Sequence, residues 1–312
     1  MGASVSTVSN ASVSARGEIA VIVGGTQGIG RGIAVRFARA GAEIWLVVRN
    51  EQRGQAVVDE LVKVAPSGTP RPRIFLADMN VKEEVFRCAD EIKAAAGEAG
   101  VHYLIQNQGG PSNPKDIAPN ADGFDAHFAV QVLSRVILAY ELRHIVTRSS
   151  MAVAAAGVGS KHFDTQDITL EGVKARGEYN YVASGQRDCT MLDAAYIAIA
   201  KDAPNAAQYT HVFPGFVRTN TLSNSGILDS EIKAWLFWLA GLILGRSVEW
   251  YAEIPFYMTA NPEGRKLVER EGEGGVGFWD EKFKNVGKSP ALEDEETQRV
   301  IWEWLKRNVL VR

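Results

Sequence analysis

The sequence predicts an α/β protein: a single doubly wound domain whose parallel sheet carries helices on both faces. Three observations predict it. Short, β-branched, almost continuously apolar runs recur along the chain, as strands buried on both faces require. Segments with the helical spacing of apolar residues separate them, and crossovers of that length join parallel neighbours with right-handed connections. A glycine-rich turn, GGTQGIG at 24–30, links the first such strand to the first such helix.

Glu18 to Val23 (EIAVIV) reads as a buried strand. Gln27 to Ala40 follows as a helix with Ile29, Ile33, Val35, Phe37 and Ala38 at the apolar positions, and Gly41 stops it. Glu43 to Val48 is the second strand and Glu51 to Val64 the second helix. Arg73 to Ala77, Tyr103 to Gln106, Ile145 to Ser149 and Gln208 to Phe213 continue as strands. Helices fill Val81 to Gly97, Gly123 to His144 and about Ser184 to Lys201. Near the end, Ala291 to Leu310 reads as a surface helix with Val300, Ile301, Trp304 and Leu305 on one side. No repeat or long linker divides the chain, so one domain is expected over 17–312, behind a small, polar, mobile arm over 1–16.

With 312 residues and 46% hydrophobic content, the chain can bury a large core. Its formal charge of −3 gives no basic field for nucleic acid or an anionic membrane. Two cysteines, Cys88 and Cys189, exclude a disulfide framework and suit a reducing, cytoplasmic location. The longest uncharged apolar run, Ala234 to Leu244, is well short of the roughly 18 residues that span a bilayer. The arm lacks the apolar core of a signal peptide; Gly2 and Ser6 match an acylation pattern there, which a Ser-rich tail also explains. No metal-binding pattern is read in the chain.

The glycine turn carries the chemistry. Glycines let a backbone approach a pyrophosphate, whose charge then rests on the N–H groups opening the next helix. Gly24, Thr26, Gln27, Gly28, Ile29 and Gly30 are therefore expected to bind a dinucleotide. About twenty residues on, the second strand ends at VVRN. An acidic side chain at that address would suit the ribose 2′-hydroxyl of NAD, whereas a guanidinium matches a 2′-phosphate. Arg49, with Asn50 beside it, therefore points to NADP(H).

The G-x-x-x-G-x-G spacing resembles the short-chain dehydrogenase/reductase family, and later segments extend the resemblance over roughly residues 18–225. LADMNV, with Asp78 and Met79, is similar to the family's Asp-x-x-Val beside the adenine. LIQNQGG, with Asn107 and Gly109, is similar to its Asn-Asn-Ala-Gly, with Gln106 and Gln108 as departures. Ser150 stands where the family keeps its substrate-binding serine at the end of the fifth strand, and Gln131 lies nearest the place of its asparagine. PGFVRT looks like the segment that holds the nicotinamide, which implies cofactor roles for Pro214, Gly215, Val217 and Thr219.

The resemblance implies a tyrosine proton donor tuned by a lysine, since an unassisted hydroxyl near pKa 10 moves protons poorly at neutral pH. Matched locally, Tyr181 takes the tyrosine place and Gly185 the lysine place. Counting back from Pro214 puts those places near Gly185 and Cys189 instead, with Tyr179 and Tyr181 just ahead of the helix. Both registers lack the lysine, and the nearest cation is Arg187. The longer loop before the tyrosines offers Lys161, His162, Asp164 and Asp167, which also read as a solvated loop with capped turns. The pattern resembles branches of the family found in fungal secondary metabolism.

In the family, the segment after the sixth strand closes over the substrate, which places a lid at about 222–262. Its apolar run with Trp235, Phe237 and Trp238 fits a hydrophobic small molecule, core packing or contact with a second copy of the chain. The leading expectation is an NADPH-dependent reductase of a carbonyl or imine. The alternatives are a non-redox isomerase or cyclase on the same fold, and a nucleotide-binding protein without turnover.

Overall fold

The computed structural model describes residues 10–109, 119–154, 159–203, 207–215, 217–219 and 245–312. Seven parallel strands form one sheet in the order β3-β2-β1-β4-β5-β6-β7. They are β1 (Ile19–Val23), β2 (Glu43–Val48), β3 (Arg73–Leu76), β4 (Val101–Gln106), β5 (Val146–Val153), β6 (Gln208–Val212) and β7 (Val276–Trp279). The strand order reverses between β1 and β4, so their carboxyl ends splay apart and open a crevice there.

The period of two along each strand assigns its side chains to two cores. In β1, Val21 and Val23 face one and Ala20 and Ile22 the other. Helices α1 (Gly28–Arg39) and α2 (Glu51–Val64) cover the second face. The first face is covered by α3 (Lys82–Ala96) and by α4, built from Ala126–Phe128, a π-helical turn Ala129–Leu133 and Ser134–Glu141. Past β5 come the short α5 (Glu171–Ala175) and α6 (Tyr181–Asp202), then α7 (Val248–Thr259), α8 (Pro262–Glu271) and α9 (Glu295–Asn308). α6 and α9 join the first face, with Ile301 and Leu305 of α9 fully buried and Trp304 packed on Phe124 and Phe128.

Four expectations change. The arm is anchored from Asn10 onward: its buried amide donates to Glu253 Oε2 at 2.8 Å and accepts from Asn261 at 3.0 Å, while Arg36 donates to its carbonyl. Paired polar groups and the buried Ala15 hold this segment on α1 and α7. Gly2 and Ser6 lie outside the described residues.

β7 adds a strand that the pattern concealed, because VGFW is short, contains Gly277 and follows Gly274 and Gly275. β5 runs on through Met151–Val153, so Ser150 lies inside the strand rather than at its end.

The expected lid is described only from residue 245, and its latter part is core. Tyr251, Ile254, Phe256 and Met258 of α7 are buried. Gly32 allows α7 to approach α1 closely, since a Cβ there would stand 2.3 Å from Val248 Cγ1. Phe37 and Phe256 meet edge to face at 5.0 Å. Burial of this apolar helix removes it from the substrate side; Trp235, Phe237 and Trp238 lie outside the described residues.

Candidate active site

β1 gives way at Gly24, which has φ 78°. A Cβ there would lie 2.7 Å from the backbone nitrogen of Gln108, so the glycine turn touches the chain leaving β4 backbone to backbone. A Cβ on Gly30 would meet the Gly24 carbonyl oxygen at 2.3 Å and Asn107 Nδ2 at 3.0 Å. The Asn107 N–H donates to the Val23 carbonyl at 2.9 Å. Gly24, Gly30 and Asn107 thus form one close-packed cradle at the crevice.

Behind it α1 begins without a side-chain cap. Gln27 is extended, makes no capping hydrogen bond, and no acidic residue occupies the first turn. Open N–H groups and the helix dipole there favour an anion. Thr26, Gly28 and Ile29 are half-buried along the rim, and Gln27 is exposed. The donor set and the absence of Cβ atoms fit a pyrophosphate.

Arg49 and Asn50 follow β2, both exposed. Asn50 Oδ1 accepts the Arg53 N–H at 2.9 Å and so caps α2. Arg49 has no hydrogen bond or ion pair among the described residues. Asp78 Oδ1 accepts from the Asn80 N–H at 2.9 Å, a local turn that leaves the residue half-buried at the crevice side of β3. Met79 is 8% exposed and packs its side chain in the core.

Gly109 has φ 106°, and a Cβ on it would lie 2.6 Å from the Gln131 side-chain amide. The π-helical turn of α4 carries Gln131, so the amide sits against the end of the β4 segment. Gly215 is at φ 63° and the Glu281 side chain packs over it, 2.6 Å from where a Cβ would stand. Pro214 is half-buried, Val217 pairs with Arg246 in an isolated bridge, and Thr219 closes that described stretch.

The expected proton-transfer residues are less assembled. Ser150 is 1% exposed, level with Leu104 and Tyr209, two positions below the Gln106–Ala152 pair. Its hydroxyl lies beside that of Tyr196 in the interior, which corrects its expected exposure at the crevice; the apolar continuation of β5 carries the strand past it.

Tyr179 donates its hydroxyl to Asp125 Oδ2 at 2.7 Å. Burial raises its pKa well above the usual tyrosine value, and the acceptor carboxylate adds to the effect. Its proton is therefore committed to Asp125, and Tyr179 clips the entrance of α6 to that of α4. Tyr181 is the first residue of α6, behind the Asn180 cap, and its side chain lies outside what is described. Lys161, His162 and Asp164 are exposed, and Asp167 caps α5 through the Gly172 and Val173 N–H groups.

Between α4 and α6 lies a buried charge network that sequence reasoning missed. Arg187 donates to Asp188 at 2.8 Å, lies 3.8 Å from Asp125 and stacks 4.0 Å over Phe128. His127 Nε2 is 3.8 Å from Asp188, and burial lowers its pKa.

Deeper in, Arg135 donates to the Gln108 carbonyl while its own carbonyl accepts from Gln106 at 3.1 Å. Gln106 also donates to the Tyr196 hydroxyl at 3.2 Å, and Gln108 to Ser134 Oγ at 3.1 Å and Gln106 Oε1 at 3.2 Å. Arg135 is 1% exposed, makes no ion pair among the described residues, and leaves Nε and Nη1 without partners. Burial lowers its pKa to about 10. The two glutamines that depart from the Asn-Asn-Ala-Gly pattern are the ones that bracket this cation. A charged residue inside the apolar run VLSRVILA was the available signal.

The comparisons agree with this geometry. A family model for short chain dehydrogenase matches residues 18–159. Polyprenol dehydrogenase of Mus musculus is 28% identical over 295 residues, covering 92% of this chain and 82% of that one. Retinol dehydrogenase 11 of Homo sapiens is 24% identical over 240 residues, covering 75% and 70%. A short chain dehydrogenase from Burkholderia cenocepacia J2315, solved in complex with NADP, superposes with a TM-score of 0.59 at 20% identity, covering 86% and 98%.

The chain is similar in sequence to the short-chain dehydrogenase/reductase family over residues 18–159 and shares the fold of its solved members. The family match supports a nicotinamide cofactor. Among the described residues no helix is long and apolar enough to cross a membrane.

Proposed function

We propose that the protein is an NADPH-dependent reductase of a carbonyl or imine/iminium group on an apolar small molecule, of the kind made in fungal natural-product biosynthesis. The cradle of Gly24, Gly30 and Asn107 carries this reading, because its glycines let backbone pack on backbone beside an uncapped helix N-terminus, the arrangement a pyrophosphate takes. Arg49, exposed and unpaired, supports a 2′-phosphate partner. The relatives named for polyprenol and retinol support an apolar substrate.

When bound, NADPH supplies the hydride. Pro214, Gly215, Val217 and Thr219 would hold the nicotinamide, and Gln131, against Gly109, would hold a water or substrate oxygen. Tyr181 supplies the proton that a carbonyl oxygen needs; an iminium carbon needs none at the hydride step. Orientation of two reactants supplies much of such a rate, so loss of the lysine at Gly185 is compatible with turnover.

The commitment of the Tyr179 proton to Asp125 favours one second reading, a non-redox isomerase or cyclase with the nucleotide as a wall. Incubation with NADPH deuterated at its transferable position, against a panel of apolar ketones and cyclic imines, separates the two. Deuterium in the product establishes the reductase. A product isomeric with its substrate and free of deuterium contradicts it.

A further inference from the structure

Between α6 and β6, three side chains of different chemistry converge. Cys189 and Asp193 are four residues apart on one face of α6, and His211 faces them from β6. Their ligating atoms all lie within 4.8 Å of one another. Cys189 Sγ is 3.9 Å from Asp193 Oδ2 and 4.0 Å from His211 Nδ1, and that nitrogen is 2.7 Å from Asp193 Oδ1. Exposures are 4%, 2% and 5% for Cys189, Asp193 and His211.

Ser289 orients the carboxylate from outside. Its N–H and hydroxyl both donate to Asp193 Oδ2, at 3.0 Å and 2.5 Å. A small cavity of about 70 Å³ adjoins the cluster, lined by Cys189, Asp193 and His211 together with Phe213, Trp279 and Ser289. Among the described residues His211 Nε2 is buried without a partner, so hydrogen bonding there does not use up the imidazole.

We propose that Cys189, Asp193 and His211 form a three-ligand site for a zinc-class divalent cation, with its fourth position open to the cavity. Thiolate, imidazole and carboxylate together are the donors that a borderline-soft ion takes. Tetrahedral zinc with metal–ligand distances of about 2.0–2.3 Å sets its ligand atoms roughly 3.3–3.6 Å apart. The Cys189–His211 contact therefore closes in and the contact between Asp193 Oδ1 and His211 Nδ1 opens, each by roughly half an ångström.

A thiolate and a carboxylate also cancel a double positive charge, so the filled site holds no net charge in the interior. The thiol proton leaves for water as the ion enters. The Ser289 hydroxyl and N–H then play the orienting part that outer hydrogen bonds play around metal ligands.

Cobalt(II) alone, added to the metal-stripped full-length protein, tests the site. The expected result is one equivalent bound, a thiolate-to-cobalt charge-transfer band, and competition by zinc. Cys189→Ala removes the band, and Cys88→Ala keeps it. Ser289→Ala, which leaves all three ligands in place, weakens zinc binding by about tenfold. Should Cys189→Ala fail to fold, His211→Gln carries the test, with the expected outcome of lost stoichiometric binding. A protein that binds no cobalt, or a band that survives loss of Cys189, overturns the proposal.

Discussion

Arg135 donates from the middle of α4 to the carbonyl of Gln108, the residue whose backbone closes on Gly24. A buried cation on one face of the sheet therefore steadies the turn that receives the nucleotide. The arrangement costs stability, since the guanidinium has two unpartnered nitrogens and no carboxylate against it among the described residues.

Arg135→Met separates these effects. Replacing a desolvated charge by an apolar side chain of similar length changes folding stability by less than about 1 kcal/mol or raises it. The slackened Gln108 backbone weakens nucleotide binding by about tenfold, measured by calorimetry beside a thermal melt. Unfolding of the variant would instead make Arg135 a structural keystone.

Gly30→Ala puts a methyl group 2.3 Å from the Gly24 carbonyl oxygen, a contact that backbone must yield to relieve. The expected cost is about 1–3 kcal/mol of stability. Nucleotide affinity falls by more than tenfold, because the displaced carbonyl enters the space of the pyrophosphate. Chemical denaturation and nucleotide titration read the two effects.

Tyr179→Phe removes the hydroxyl donor from Asp125. Burial opposes ionisation of Asp125, but the Tyr179 hydroxyl, the Phe128 N–H and Arg187 outweigh it and hold the carboxyl below its ordinary value. A depressed folded value gives stability that is full above the unfolded carboxylate range, near pH 4, and is lost as pH falls through the folded value. The variant is thus destabilised by about 1–2 kcal/mol at neutral pH, and its deficit narrows in acid. Nucleotide affinity stays unchanged. Urea unfolding of both proteins across a pH series measures this.

Much of the fold was legible because periodicity reports burial directly. The second helix, Glu51 to Val64, has the bounds its sequence pattern gives, and β1, β2 and α3 agree to within a residue at each end. β7 was hidden because four residues that include Gly277 and follow a glycine pair are too few to carry a period. The glycine turn was legible in the candidate site, since its backbone demands fix residue type.

Arg135, His127 and the Cys189–Asp193–His211 cluster were not legible. Each depends on which elements face one another across the sheet, and local spacing says nothing of that. Ser150 shows the same limit from the other side: its motif placed it at a strand end, and three further apolar residues moved the end past it.

Parallel calorimetric titrations of the intact protein and its Arg49→Ala variant, with NADPH and with NADH, test the central claim most directly. The account predicts that the intact protein prefers NADPH, and that the variant loses about tenfold or more in NADPH affinity while its NADH affinity holds, since only the 2′-phosphate contact is removed. Equal binding of the two nucleotides that Arg49→Ala leaves untouched would contradict the cofactor assignment, and binding of neither would contradict the reductase itself.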